Sequence, residues 1–220
     1  PRVFVRLLAS FPALLLLGAA ASTAPQEPPP VEQIVIGGTT PRFAVPECVP
    51  RRPDEASLAA CRAITQVLRN DLRFEGLFQF VPESLLSAIP PLNPDAPRFE
   101  DWKGIGAKIL VTTRAEVVGG ELTVEARVYF VDSGATMLAR KYSGKADNPR
   151  VFAHQASDDI MTLTQYRGVA RTRIAFVSDR TAILLDEARG LWTSDIYIMN
   201  SDGSDPRRLT AGNLTNGYGG

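Results

Sequence analysis

The residues of this sequence that could carry out chemistry are few, and His154 is its only histidine. Ser157 and Asp158 follow on the same predicted helix, so these three side chains could suggest a hydrolase triad. A triad requires residues that converge from separate elements beside an oxyanion site, and the sequence contains no Gly-x-Ser-x-Gly elbow. We therefore interpret His154 as a structural or surface residue that can bond to Asp158 one turn on. We predict no catalytic residue and no enzymatic activity.

Two further patterns resemble ligand sites only superficially. Residues 104–108 are rich in glycine, but a phosphate loop follows a strand and opens a helix, whereas this stretch precedes a predicted strand. Asn200, Asp202 and Asp205 lack the spacing and the closing glutamate of an EF-hand. We interpret both patterns as turns. One histidine and two cysteines cannot form an ordinary zinc site, so we predict no metal and no cofactor.

Cys48 and Cys61 are the two cysteines. In an oxidising compartment they could pair, and closing this short loop would contribute about 3 kcal/mol. Cys61 also lies on the apolar stripe of a predicted helix, which suits a buried free thiol equally well. The sequence leaves both interpretations open.

The composition is that of an ordinary globular protein. The 220 residues are 45% hydrophobic, and 24 acidic residues balance 24 basic ones. Because the net charge is zero and the basic residues are dispersed, neither nucleic acid nor an anionic membrane is indicated as a partner.

Residues 1–24 have the layout of a secretory signal peptide, with Arg2 and Arg6 before an apolar run and small residues at a cleavage site. The apolar run is short for a membrane-spanning helix, which needs about 20 residues. Residues 25–33 are rich in proline and predict a flexible linker. We expect an exported protein that is not inserted in the membrane after cleavage.

Residues 34–168 predict an α+β domain with a small, mainly antiparallel sheet and helices on one face. Asp54 is the predicted N-cap of the first helix, and Asn148 that of the second. Residues 109–118 and 121–130 flank two glycines and predict a hairpin with one packed face and one face in water.

Residues 193–210 alternate polar and apolar side chains around Asp202-Gly203, which is a strong hairpin signal. This stretch closely resembles a blade of a PD40-type β-propeller. One copy is present, and Gly220 falls where the next blade should begin. We therefore expect a fragment of a longer protein, in which residues 169–220 are the first, incomplete part of a propeller.

Four stretches, together with the signal peptide before them and the blade after them, resemble the TolB family of the Tol-Pal system in order and spacing. They are residues 71–80, 101–107, 154–158 and 171–177. The resemblance spans about residues 34–210. Cys48, Cys61 and an apolar stretch at residues 181–192 depart from the family pattern.

The resemblance implies a non-enzymatic periplasmic adaptor that links inner-membrane TolA to the outer-membrane lipoprotein Pal, with roles in envelope integrity, cell division and macromolecule import. Pal would bind the propeller, and TolA would bind the mature amino-terminal segment, which here is Val31, Glu32, Gln33, Ile34, Val35, Ile36 and Gly37. From the residues alone, the favoured interpretation of this segment is a first strand of the domain, ahead of a strand that adds to a partner's sheet edge. The resemblance to the TolB family instead favours the partner-binding strand.

Two other functions stay open at this point. One is an exported propeller-bearing serine peptidase whose hydrolase domain lies outside this sequence; a Gly-x-Ser-x-Gly elbow in a longer gene would favour it. The other is a generic PD40 module that binds solutes or glycans, which a complete propeller without Tol-Pal partners would favour.

Overall fold

A computed structural model describes residues 41–211 and 214–216, all of which fall within one compact unit, Val31–Gly220. The elements follow in the order β1 (Arg42–Ala44), β2 (Val49–Pro50), α1 (Glu55–Phe74), β3 (Gln79–Phe80), α2 (Glu83–Leu86), α3 (Phe99–Gly104), β4 (Ile109–Val118), β5 (Glu121–Phe130), β6 (Ala135–Lys145), α4 (Arg150–Met161), β7 (Arg173–Ser178), β8 (Leu184–Asp186), β9 (Leu191–Asn200), β10 (Arg207–Arg208) and β11 (Leu214–Asn216).

The first sheet is mixed, with the strand order β3-β1-β4-β5-β6 and with β2 paired to β4. Short parallel ladders join β1 to β3 and β4, whereas long antiparallel ladders join β4 to β5 and β5 to β6. The predicted hairpin is confirmed, because Val118 pairs with Glu121. Gly119 and Gly120 both have positive φ, at 59° and 82°, which is the turn geometry that a two-residue hairpin favours.

The first helix begins as predicted. The side chain of Asp54 accepts a hydrogen bond from the Ser57 amide at 2.9 Å, which satisfies a donor that has no partner within the helix. Three large side chains at helical spacing, Ile64, Leu68 and Leu72, are fully buried against the first sheet. The helix is therefore fixed by a local cap and by an apolar stripe, and both are visible in the sequence.

The second predicted helix is α4, and its N-cap lies one residue later than predicted, at Pro149 instead of Asn148. Pro149 occupies the N-cap position of α4 with helical dihedral angles, and no side chain caps the helix. Asn148 contributes only its backbone carbonyl, which accepts from the Val151 amide at 3.3 Å. Proline at this position already has the φ that a first helical turn needs, so the chain enters the helix without a side-chain cap.

Helices cover both faces of the first sheet, so the prediction of helices on one face was wrong. Helices α1 and α4 pack on one face. On the other face Trp102 of α3 is buried with Leu110, Tyr129 and Val131. The prediction that the second face of the hairpin meets water therefore fails near Tyr129, because large apolar side chains on that face need a cover of their own.

The second sheet is built around β9, which pairs antiparallel with β7, β8, β10 and β11. The predicted hairpin at Asp202-Gly203 is confirmed, since Arg207 pairs with Ile198 and Gly203 has a φ of 80°. Neither sheet closes into a barrel within the described strands. None of the helices in residues 41–211 combines the length and apolar character that crossing a bilayer requires.

Candidate functional site

The predicted partner-binding segment, residues 31–37, lies outside the described residues, as do the predicted signal peptide and linker. Cys48 and Cys61 are described, and their sulfurs are bonded in the structure with a Cα–Cα distance of 5.0 Å. The disulfide ties the segment before β2 to the second turn of α1. The Cys48 amide also donates to the Thr65 hydroxyl at 2.9 Å, so this attachment has two independent bonds.

An open groove with a volume of about 510 Å³ adjoins the disulfide at Cys48. Trp102 and several prolines line it, together with three charged side chains. The Nη1 atom of Arg69 lies 2.9 Å from Oε1 of Glu47 and 3.8 Å from Oε1 of Glu83, so the charged side chains at the groove form ion pairs with one another. The groove therefore has an apolar wall, and its charged side chains are paired with one another.

A buried polar cluster joins α1, α4 and the turn between β9 and β10. At its centre the Nδ1 atom of His154 lies 2.7 Å from Oδ2 of Asp71, and its Nε2 atom lies 3.2 Å from Oδ2 of Asp202. The three side chains are only 9%, 7% and 13% exposed. We call His154, Asp71, Asp202 and Arg150 the junction cluster. It fixes helices that pack on the first sheet to the second sheet.

The predicted bond between His154 and Asp158 was wrong. The Asp158 carboxylate accepts instead from the Ala170 amide at 2.9 Å and from Nε of Arg171 at 2.6 Å. The hydrogen bond to Asp158 raises the pKa of Arg171 against the opposing effect of burial. Helical spacing places Asp158 near His154, but the chain after α4 folds back and donates a hydrogen bond to each carboxylate oxygen of Asp158.

The electrostatics of the junction cluster favour charged side chains. Burial alone would lower the pKa of His154, but its hydrogen bond to Asp71 and the charges of Asp71 and Asp202 outweigh burial and raise the pKa above 6.5. Burial alone would raise the pKa of Asp202, but hydrogen bonds from Ser204 and Arg150 outweigh it and hold the pKa well below its ordinary value. The cluster is thus a set of ion pairs in which Asp71, His154 and Asp202 are buried and Arg150 is partly exposed.

The connection after α4 is held on both sides. The Val169 amide donates to Glu75 at 3.0 Å, and the Ser201 hydroxyl donates to the Ala170 carbonyl at 2.7 Å. Gly168 lets this segment approach α4, because a Cβ atom there would lie 2.5 Å from Oδ1 and 2.9 Å from Cα of Asp158. The connection therefore has a fixed path from α4 to β7.

Residues 33–137 match the family model of the TolB amino-terminal domain. This part of the chain belongs to the TolB amino-terminal domain family. The chain is 32% identical over 158 residues to the Tol-Pal system protein TolB of Geobacter sulfurreducens, covering 71% of this chain and 34% of that protein. The TolB protein of Geobacter metallireducens is 33% identical over 150 residues, covering 68% and 33%. The chain thus spans about a third of the length of these relatives.

The fold also resembles that of a solved TolB structure. The crystal structure of TolB from Acinetobacter baumannii superimposes with a TM-score of 0.58 at 19% identity, covering 79% of this chain and 39% of that one. The match to the TolB amino-terminal domain includes Asp71 but ends before His154 and Asp202. The junction cluster therefore joins the TolB domain to residues beyond the family model.

His154 and Ser157 are not bonded to one another in the structure. Both ring nitrogens of His154 face carboxylates, and Ser157 Oγ is buried without a hydrogen-bond partner among the described residues. Residues 41–211 also contain no group of three or more histidine, cysteine or acidic side chains placed to hold a metal.

Asp71 of the junction cluster was not predicted from the sequence. A signal for it was present, because Asp71 lies three residues after Leu68 and directly before Leu72, on the stripe that α1 buries. A carboxylate on a buried stripe needs a charged or hydrogen-bonding partner. The identity of that partner was not visible.

Proposed function

We propose that this chain is part of a non-enzymatic periplasmic adaptor of the Tol-Pal system. The single observation that carries the proposal is the TolB amino-terminal domain at residues 33–137, in a chain about 32% identical to Tol-Pal system proteins. The binding role rests on this kinship.

The proposed organisation has four parts: a signal peptide at residues 1–24, a linker at 25–33, the TolB-like domain at 34–168 and the start of a PD40 propeller at 169–220. The antiparallel pairing of β7 and β10 on either side of β9 supports the last part, because a propeller blade is a small antiparallel sheet. The balanced charge and the signal-peptide layout support export without a lasting membrane anchor.

In the proposed mechanism, residues 31–37 bind a TolA-like partner, and the propeller binds a Pal-like lipoprotein. Gln33 to Ile36 are β-prone and follow a proline-rich stretch, which suits a strand that adds to a partner's sheet through backbone hydrogen bonds. The protein would link the two membranes by holding both partners at once. No cofactor and no nucleic acid take part.

Deletion of residues 31–37 tests this proposal. We expect the deletion to abolish binding of the purified carboxy-terminal domain of TolA from the same organism, measured by isothermal titration calorimetry, with an unchanged circular dichroism spectrum. Deletion of residues 25–30 is the matched control, because it shortens the tail without removing the β-prone segment. If the 31–37 deletion binds TolA as the intact chain does, the proposed role of the segment is wrong.

A further inference from the structure

The junction cluster places one titratable ring between two carboxylates that come from different parts of the chain. Asp71 lies on α1, 83 residues from His154 on α4, and Asp202 lies on the turn that connects β9 to β10. The imidazole ring therefore forms a polar bridge from Asp71 of α1 to Asp202 of the turn, beside the direct ion pair of Arg150 of α4 with Asp202.

The geometry of this bridge favours a doubly protonated ring. Ionised carboxylates only accept hydrogen bonds, and a neutral imidazole donates from one nitrogen only. Nδ1 is hydrogen-bonded to Oδ2 of Asp71 at 2.7 Å, and Nε2 lies at ion-pair distance, 3.2 Å, from Oδ2 of Asp202, so only the imidazolium makes both contacts attractive. The neutral ring would turn one nitrogen lone pair toward a carboxylate oxygen, so one contact would become repulsive.

The charge balance of the cluster leads to the same conclusion. The charged groups that face the ring are Asp71 from α1, Arg150 from α4 and Asp202 from the turn. Arg150 is itself bonded to Asp202, so with a neutral ring the cluster holds two negative charges and one positive charge. A buried charge without compensation is unfavourable, and the imidazolium removes the imbalance. Glu75 and Asp158 bond instead to the connection after α4.

We propose that His154 acts as a proton-dependent clasp that holds the turn between β9 and β10, and with it the second sheet, on α1 and α4. Loss of the proton loosens this attachment. The effect stays local, because backbone bonds such as that from the Ser201 amide to the Thr172 carbonyl at 3.1 Å do not titrate. The proposal concerns the described residues and does not depend on binding of TolA or Pal.

The first test is an NMR pH titration of His154 in the full chain, purified without a histidine tag. Because the sequence has one histidine, its ring signals need no assignment by mutation. We expect a pKa above 6.5 that falls in Asp202→Asn and is unchanged in Asp205→Asn, an exposed position on the same turn. A titration at or below 6.5 in the wild type, or an equal shift in both variants, would overturn the clasp.

The second test measures whether the proton controls the attachment. Hydrogen exchange of the amides in residues 196–209 is followed from pH 5.5 to 8.5 and corrected for the intrinsic rate. Between pH 6.5 and the folded pKa of His154, we expect the opening constant of these amides to rise about tenfold per pH unit, because the open state binds one proton fewer. His154→Gln should show no such rise. A flat wild-type profile, or the same rise in the variant, would refute the proposal.

Discussion

Gly168 is the position at which a single methyl group should disturb the joint between the two sheets, by which we mean the connection from α4 to β7 and its contacts with Asp158. A Cβ atom there would lie 2.5 Å from Oδ1 and 2.9 Å from Cα of Asp158. The second of these contacts involves the backbone of α4, which cannot move away as a flexible side chain could. Either the connection or the carboxylate must therefore shift when Gly168 is replaced by alanine.

The expected cost of Gly168→Ala follows from two effects. Inserting a methyl group into a packed site costs about 1–3 kcal/mol. A shift of the carboxylate also weakens its bonds to the Ala170 amide and to Arg171, and a hydrogen bond to a charged group contributes about 1.5–3 kcal/mol. Because the two effects overlap, we expect a loss of about 2–4 kcal/mol in the free energy of unfolding.

Urea denaturation followed by circular dichroism measures this loss. Gly104→Ala is the matched control, because a Cβ atom at Gly104 would contact nothing within 4 Å. Alanine at the end of a helix should be neutral or slightly stabilising there. If the two variants differ by less than about 0.5 kcal/mol, the close approach at Gly168 has no energetic weight and our account of the joint is refuted.

Three further predictions concern stability. Reduction of the Cys48–Cys61 disulfide should lower the free energy of unfolding by about 3 kcal/mol, measured in urea with and without reductant. Mass measurement without reductant should show a protein lighter than the reduced form by two hydrogen atoms. Trp102→Ala should cost about 3–5 kcal/mol because it empties the core on the second face, whereas the exposed Val118→Ala should cost little. Since the pKa of His154 is raised in the folded state, its contribution is complete below pH 6.5 and is lost as the pH rises through the folded pKa. Unfolding in urea at pH 6 and pH 8 should therefore show a larger loss for the wild type than for His154→Gln, and equal losses would contradict the raised pKa.

The features that the sequence predicted correctly are those that depend on neighbouring residues. The hairpin at Gly119 and Gly120 follows from two adjacent residues that accept positive φ. The start of α1 follows from Asp54 and an amide three residues further on. In both cases the physical cause lies within a few residues, so one sequence is enough to find it.

The cover on the second face of the first sheet could not be predicted in the same way. Helix α3 has only six residues, too few for a helical period to be visible. Its two large apolar side chains are Phe99 and Trp102, and Trp102 is buried because the chain places it over Leu110 and Tyr129. Burial of a tryptophan in so short a helix depends on which strands lie beneath it.

The partners of His154 and the bond between Cys48 and Cys61 were decided only by the tertiary structure. The sequence left the cysteines open between a disulfide and two thiols, and the fold brings their Cα atoms to 5.0 Å. For His154 the sequence offered Asp158 at helical spacing, but the fold assigns Asp158 to the returning chain and gives the ring Asp71 and Asp202. Local patterns determined the start of α1 and the two hairpins, because caps and turns are short-range. The pairing of its buried charges is long-range, and it is determined by which elements the core brings together.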